Sequence, residues 1–137
     1  MRDKKRVSVF DLNEDDCAHI AKSVRQYFVQ KNILVDISRF TQMQPFAYDF
    51  NYKQKEGLPY HMVFIGIDNM LGVETARNIR DLDNWCPMFL LSNVSDYGME
   101  GFRLHALDYI VKPITSERVS EAIRRIGAKC QAGSQWP

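Results

Sequence analysis

His61-Met-Val-Phe-Ile-Gly-Ile67 is the most apolar run in the chain, and its near-continuous hydrophobicity suits a parallel strand covered on both faces. The run therefore belongs in the middle of a sheet. Before it, Val7-Ser-Val-Phe-Asp11 reads as a first strand, and Cys17, Ile20, Ala21, Val24, Tyr27 and Phe28 recur at helical spacing after a capping Asn13. Ile33-Leu-Val-Asp-Ile37 reads as a second strand. The stretch from 41 to 55 carries Pro45 and the alternating aromatics Phe46, Tyr48, Phe50 and Tyr52, and a short helix is expected there. After the central run, Val73, Ala76, Ile79 and Leu82 mark a helix beyond Gly72, and Pro87-Met-Phe-Leu-Leu91 is a fourth buried strand. Residues 95 to 106 are expected to form a helix weakened by Gly98 and Gly101, each costing about 1 kcal/mol relative to alanine. Leu107-Asp-Tyr-Ile-Val111 is the fifth strand, and Val119, Ala122, Ile123 and Ile126 are the inward stripe of a last helix that begins near Thr115.

Strict alternation of strand and helix implies an α/β fold with a five-stranded parallel sheet and helices on both faces. Five such units allow the strand order 2-1-3-4-5, in which ligands collect at the carboxyl ends of strands one and three. A chain of 137 residues closes one core, so residues 1–128 are expected to form one domain and 129–137 a linker or disordered tail. No apolar run approaches the ~20 residues of a membrane span, and the basic start leads into a strand too short for a secretory signal, which points to the cytoplasm. Cys17, Cys86 and Cys130 are an odd set without metal-site spacing and are read as reduced thiols. The formal net charge of +1 gives no footprint for direct nucleic-acid binding by this domain. His19, His61 and His105 fall on separate elements and form no catalytic or metal set.

The predicted strand ends carry Asp11, Ser92 and the run Leu107-Asp-Tyr-Ile-Val-Lys-Pro113. An apolar strand ending in Lys-Pro after an Ala-Leu-Asp-Tyr step, before a capped amphipathic helix, resembles the receiver domain of bacterial response regulators, a flavodoxin-like family. Its wording is similar to receivers that precede LytTR-type DNA-binding domains. The resemblance covers roughly residues 7 to 127 and implies a phosphorylation pocket in which an aspartate attacks a phosphohistidine donor beside a magnesium ion. By position, Lys112 supplies the fixed cation, Ser92 the hydroxyl that bonds the transferred group, and Asp11 one of the metal-binding acids.

Two further positions depart from that pattern. The second metal-binding acid falls on Leu12 and the nucleophile on Gly66, so the resemblance implies a degenerate pocket formed by Asp11, Leu12, Gly66, Ser92 and Lys112, without catalytic residues or resident metal. Asp68 is the candidate displaced phosphoacceptor. It shares the strand parity of Gly66, but two strand residues add about 6.6 Å, which carries it past the point where Lys112 and Ser92 converge unless the loop folds back. Lys112 is then expected to pair with Asp11, and Ser92 and Tyr109 are the switch-like positions. Tyr109 is either a half-exposed strand tyrosine or a partner-facing one.

The leading expectation is an atypical, phosphorylation-independent receiver without turnover. It would signal through a protein partner or a homodimer, using the face made by the fourth predicted helix, the fifth strand and the last helix, which Arg118, Arg124 and Arg125 border. A DNA-binding output domain would lie outside this chain. The alternatives are a phospho-accepting receiver using Asp68, and a sensor that binds a small anion or nucleotide in the vacated pocket through Lys112.

Overall fold

Runs of β-branched and aromatic residues become parallel strands, and the amphipathic stretches between them become the helices that cover the sheet. The structure, a computed structural model, describes residues 4–68, 70–93 and 104–129. In chain order the elements are β1 (Lys5–Phe10), α1 (Glu14–Gln30), β2 (Val35–Phe40), α2 (Met43–Lys55), β3 (Met62–Gly66), α3 (Met70–Leu82), β4 (Met88–Ser92), β5 (Asp108–Val111) and α4 (Ser116–Lys129). The strands run parallel in the order β2-β1-β3-β4-β5, as the sequence implies. The helix expected over 95–106 falls mainly on residues 94–103, outside the described residues. The last helix reaches Lys129, one residue into the expected tail, and the remainder of that tail also lies outside them.

Alternation along the strands builds two cores. Val7, Val9, Met62, Phe64, Phe89 and Leu91 face α1 and α4, whereas Phe10, Val63, Ile65, Met88 and Leu90 face α2 and α3. Every residue of β3 and β4 is buried, which places both strands mid-sheet. Among the described residues, no helix is long and apolar enough to cross a membrane.

Three local outcomes differ from the sequence reading or sharpen it. The second strand starts at Val35, not Ile33, because helix termination claims the earlier residues. Asn32 takes a left-handed φ of 60° and donates to the Val29 carbonyl, while the Ile33 N–H reaches back to the Phe28 carbonyl at 2.9 Å. That is the Schellman pattern, with asparagine in the place glycine usually fills.

The aromatic alternation in 46–52 belongs to a helix of 13 residues. Phe46 and Phe50 are one i,i+4 pair turned into the core; Tyr48 and Tyr52 are another, exposed and stacked 6.3 Å apart. Pro45 sits in the first turn, where no intrahelical N–H bond is lost.

The last helix is fastened to the sheet by charge. Arg118 donates to both Asp108 carboxylate oxygens at 2.8 and 3.0 Å and to the Tyr109 carbonyl, and Arg125 reaches Asp108 at 3.1 Å. Two of the three arginines expected to border a partner surface are thus held by a strand residue. Burial would raise the Asp108 pKa, but the bonds from Arg118 outweigh it and hold the carboxyl below its ordinary value.

Candidate functional site

The carboxyl ends of β1, β3, β4 and β5 meet at one ammonium group. Lys112, just past β5, directs Nζ inward, where it lies 2.7 Å from Asp11 Oδ2, 2.8 Å from Asp16 Oδ2 and 2.7 Å from Asp68 Oδ2. Three carboxylates therefore share one lysine. Its side chain is 4% exposed, against 5% for Asp11, 27% for Asp68 and 36% for Asp16, so the Lys112–Asp11 contact is the buried heart of the cluster. Burial alone would lower the Lys112 pKa; hydrogen bonds to Asp11, Asp16 and Asp68 overcome this and push it well above its ordinary value.

The expected pairing of Lys112 with Asp11 is present, and its surroundings require two corrections. The first concerns Asp68, which the strand rise placed beyond the convergence point. Instead the chain stays beside β4 past Gly66, the Ile67 N–H donating to the Leu91 carbonyl at 2.8 Å, and Asp68 lies where Ser92 and Lys112 meet. The Ser92 hydroxyl donates to Asp68 Oδ1 at 2.9 Å, the Asn93 N–H donates to the same oxygen at 2.6 Å, and Lys112 takes Oδ2.

Gly72 lets α3 pack directly against the segment that carries Asp68. A Cβ added to it would stand 2.4 Å from the Gly66 carbonyl oxygen and 2.8 Å from Ile67 Cα, so only glycine lets the first turn of α3 settle onto the end of β3. Burial works to raise the Asp68 pKa, but the bonds from Lys112, the Asn93 N–H and Ser92 prevail and hold it below its ordinary value.

The second correction concerns the ground beneath Gly66. The missing side chain leaves no gap, because Asp11 leans into the space: a Cβ on Gly66 would lie 2.2 Å from Asp11 Oδ2. Asp11 is itself oriented from the other side, its Oδ1 accepting the Asn13 N–H at 2.9 Å. Leu12, the other departure from the pattern, turns outward and is partly exposed.

Asp16 escaped the sequence reading. It lies three residues after the cap Asn13, whose side chain accepts the Asp16 N–H at 2.9 Å. The signal was available in the helical phase, since Asp16 precedes Ile20 by four residues and so borders the inward stripe.

Asp11, Asp16 and Asp68 offer oxygens within 4.8 Å of one another, a donor set with the hardness a magnesium ion needs. The Lys112 ammonium stands among those same oxygens, and a divalent ion there would have to displace it.

Chains of known structure share this architecture closely. The receiver domain of AraT, a response regulator from Geobacillus stearothermophilus, superposes with a TM-score of 0.73 over 94% of this chain and 97% of its own, at 16% identity. A CheY-like receiver domain protein from Methanospirillum hungatei gives 0.70 over 96% and 100%, at 15% identity. The chain has the CheY-like receiver fold. A CheY from Borrelia burgdorferi, solved with CheX, BeF3 and magnesium, matches the same receiver fold at a TM-score of 0.68 and 15% identity, over 91% of this chain and 88% of its own. In sequence the chain is similar to the sensory transduction protein LytR of Staphylococcus haemolyticus, 30% identical over 70 residues, and of Staphylococcus saprophyticus, 27% identical over 70 residues. These matches cover 49% of this chain and 27% of each LytR protein, so the chain spans about a quarter of the length of the curated relatives it matches. No family model matches.

Proposed function

We propose that this receiver fold works as a phosphorylation-independent signalling module, its pocket occupied by its own side chains. The observation that carries the reading is the triple engagement of Asp68. In a receiver the hydroxyl and the lysine wait for a transferred phosphoryl group; here Ser92, Lys112 and the Asn93 N–H all engage one internal carboxylate. Asp68 stands in for the phosphoryl group, and the Lys112 ammonium stands in for the divalent cation.

Electrostatics support the same reading. Three carboxylates against one ammonium leave a formal charge of −2, which repels an anionic phosphodonor when no metal is present to offset it. Gly66 offers no attacking oxygen.

Output would pass by protein contact on the side of β5 and α4, without turnover, in the cytoplasm. Tyr109 is half-buried there, packed against the core cluster that contains Leu104, which suits a pocket already held in one engaged state. The resemblance to LytR suggests a longer protein in which a DNA-binding region reads that state. Incubation with acetyl phosphate and magnesium should leave the intact mass unchanged.

A second reading has one observation in its favour: Asp68 keeps 27% of its side chain exposed beside the expected hydroxyl and lysine. A phosphoryl adduct that appears in the native chain and vanishes in Asp68→Asn would establish that reading and displace the first.

A further inference from the structure

At the edge of the core, a cleft of about 460 Å³ opens between α1 and the edge strand β2. Ala18, Ala21, Lys22 and Arg25 line it from the helix, and Ile37 and Arg39 from the strand. The four helix residues follow the i, i+3, i+4, i+7 pattern of a single stripe.

The charges of this cleft are unbalanced. Lys22, Arg25 and Arg39 form no ion pair or hydrogen bond with a carboxylate among the described residues, and no acid lines the cleft. Five other cations, Lys4, Lys53, Lys112, Arg118 and Arg125, each meet an aspartate. In a chain of 18 basic and 17 acidic residues, three unmatched cations around one depression are a local feature and not a consequence of net charge.

The floor narrows the class of ligand. Ala18, Ala21 and Ile37 are apolar, so the cations stand around a surface that favours an aliphatic group. No lining residue is aromatic, which removes the stacking platform a nucleotide base would use. Two arginines present forked donors suited to carboxylates. We propose that this cleft is the docking site for an acidic segment of a partner protein, one that sets an aliphatic side chain on the alanine floor and its carboxylates against Lys22, Arg25 and Arg39.

The test is fluorescence anisotropy on the full chain with a labelled short peptide alternating glutamate and leucine. Binding should weaken as salt rises, and it should fall by about tenfold or more in Arg25→Glu and in Arg39→Glu, both exposed positions, with circular dichroism of each variant expected to match the native chain. Lys55→Glu, an equal change of charge on α2, should leave the affinity near that of the native chain. If Lys55→Glu weakens binding as much, the effect is one of overall charge and the proposal fails. It fails also if the peptide does not bind at low salt. Equal binding of a glutamate–serine peptide, together with displacement by pyrophosphate, would show a general anion site and overturn the docking of an apolar side chain.

Discussion

Replacing Lys112 with methionine is expected to lower the unfolding free energy by about 3–5 kcal/mol, the usual penalty for removing one member of a buried ion pair. Methionine restores most of the side-chain volume, so the loss is electrostatic. Asp11 would remain almost fully buried with no cation, and Asp16 and Asp68 would face it at close range. Urea denaturation of the two proteins measures the difference.

The pH dependence of that difference has a defined sign. The Lys112 pKa is raised on folding, so its contribution is complete below the ordinary lysine value of 10.5 and is lost only as pH climbs through the raised one. The Asp68 pKa is depressed on folding, so its share is complete above 3.8 and is lost as pH falls through the lower folded value. The gap between native and Lys112→Met proteins should therefore stay level through neutrality and narrow below 3.8. Adding Asp11→Leu to Lys112→Met should recover part of the stability, because an apolar pair leaves no stranded charge. A further loss in the double variant would contradict the ion-pair account.

Gly72→Ala should cost about 3 kcal/mol or more, near the upper end for an overpacked site, because the new methyl group meets backbone and not a side chain that could swing aside. The Gly66 carbonyl and Ile67 Cα can yield only if α3 lifts from the end of β3. That movement draws Asp68 away from Ser92 and Lys112, so the variant should lose the coupling of Asp68 to Lys112 as well as stability. Denaturation midpoints check the first effect; a double-mutant cycle with Asp68→Asn checks the second, since the cost of Asp68→Asn should shrink on the Gly72→Ala background. An unchanged cost would mean that Asp68 is positioned by something other than this approach.

The sheet was legible because its signals are local and repeated. The run 61–67 identifies a doubly covered strand by composition alone, and the phases of α1, α3 and α4 follow from spacing. Asp11, Ser92 and Lys112 could be brought together before any coordinates, since each closes a strand and parallel strands end on one side. Asp68 could not be placed in that way. Its position depends on the register of β3 against β4, which sets Asp68 beside Ser92 and Asn93, and on the close approach of α3 at Gly72; strand rise taken alone points past the pocket. The start of β2 was misplaced for a related reason: the Asn32 turn draws Ile33 into the end of α1, and hydrophobic patterning does not register a left-handed residue. Asp16 was a missed reading of available phase.

Amide NMR of Ser92 and Asn93 bears on whether Asp68 already fills the phosphoryl place. On adding beryllium fluoride and magnesium, both resonances should stay where they are, while Asp68→Ala alone should move Asn93 strongly through loss of its 2.6 Å bond. Movement of both resonances in the native chain on that addition, with Asp68→Ala silent, would mean that the pocket is open to a phosphoryl group and that the internal carboxylate does not hold it.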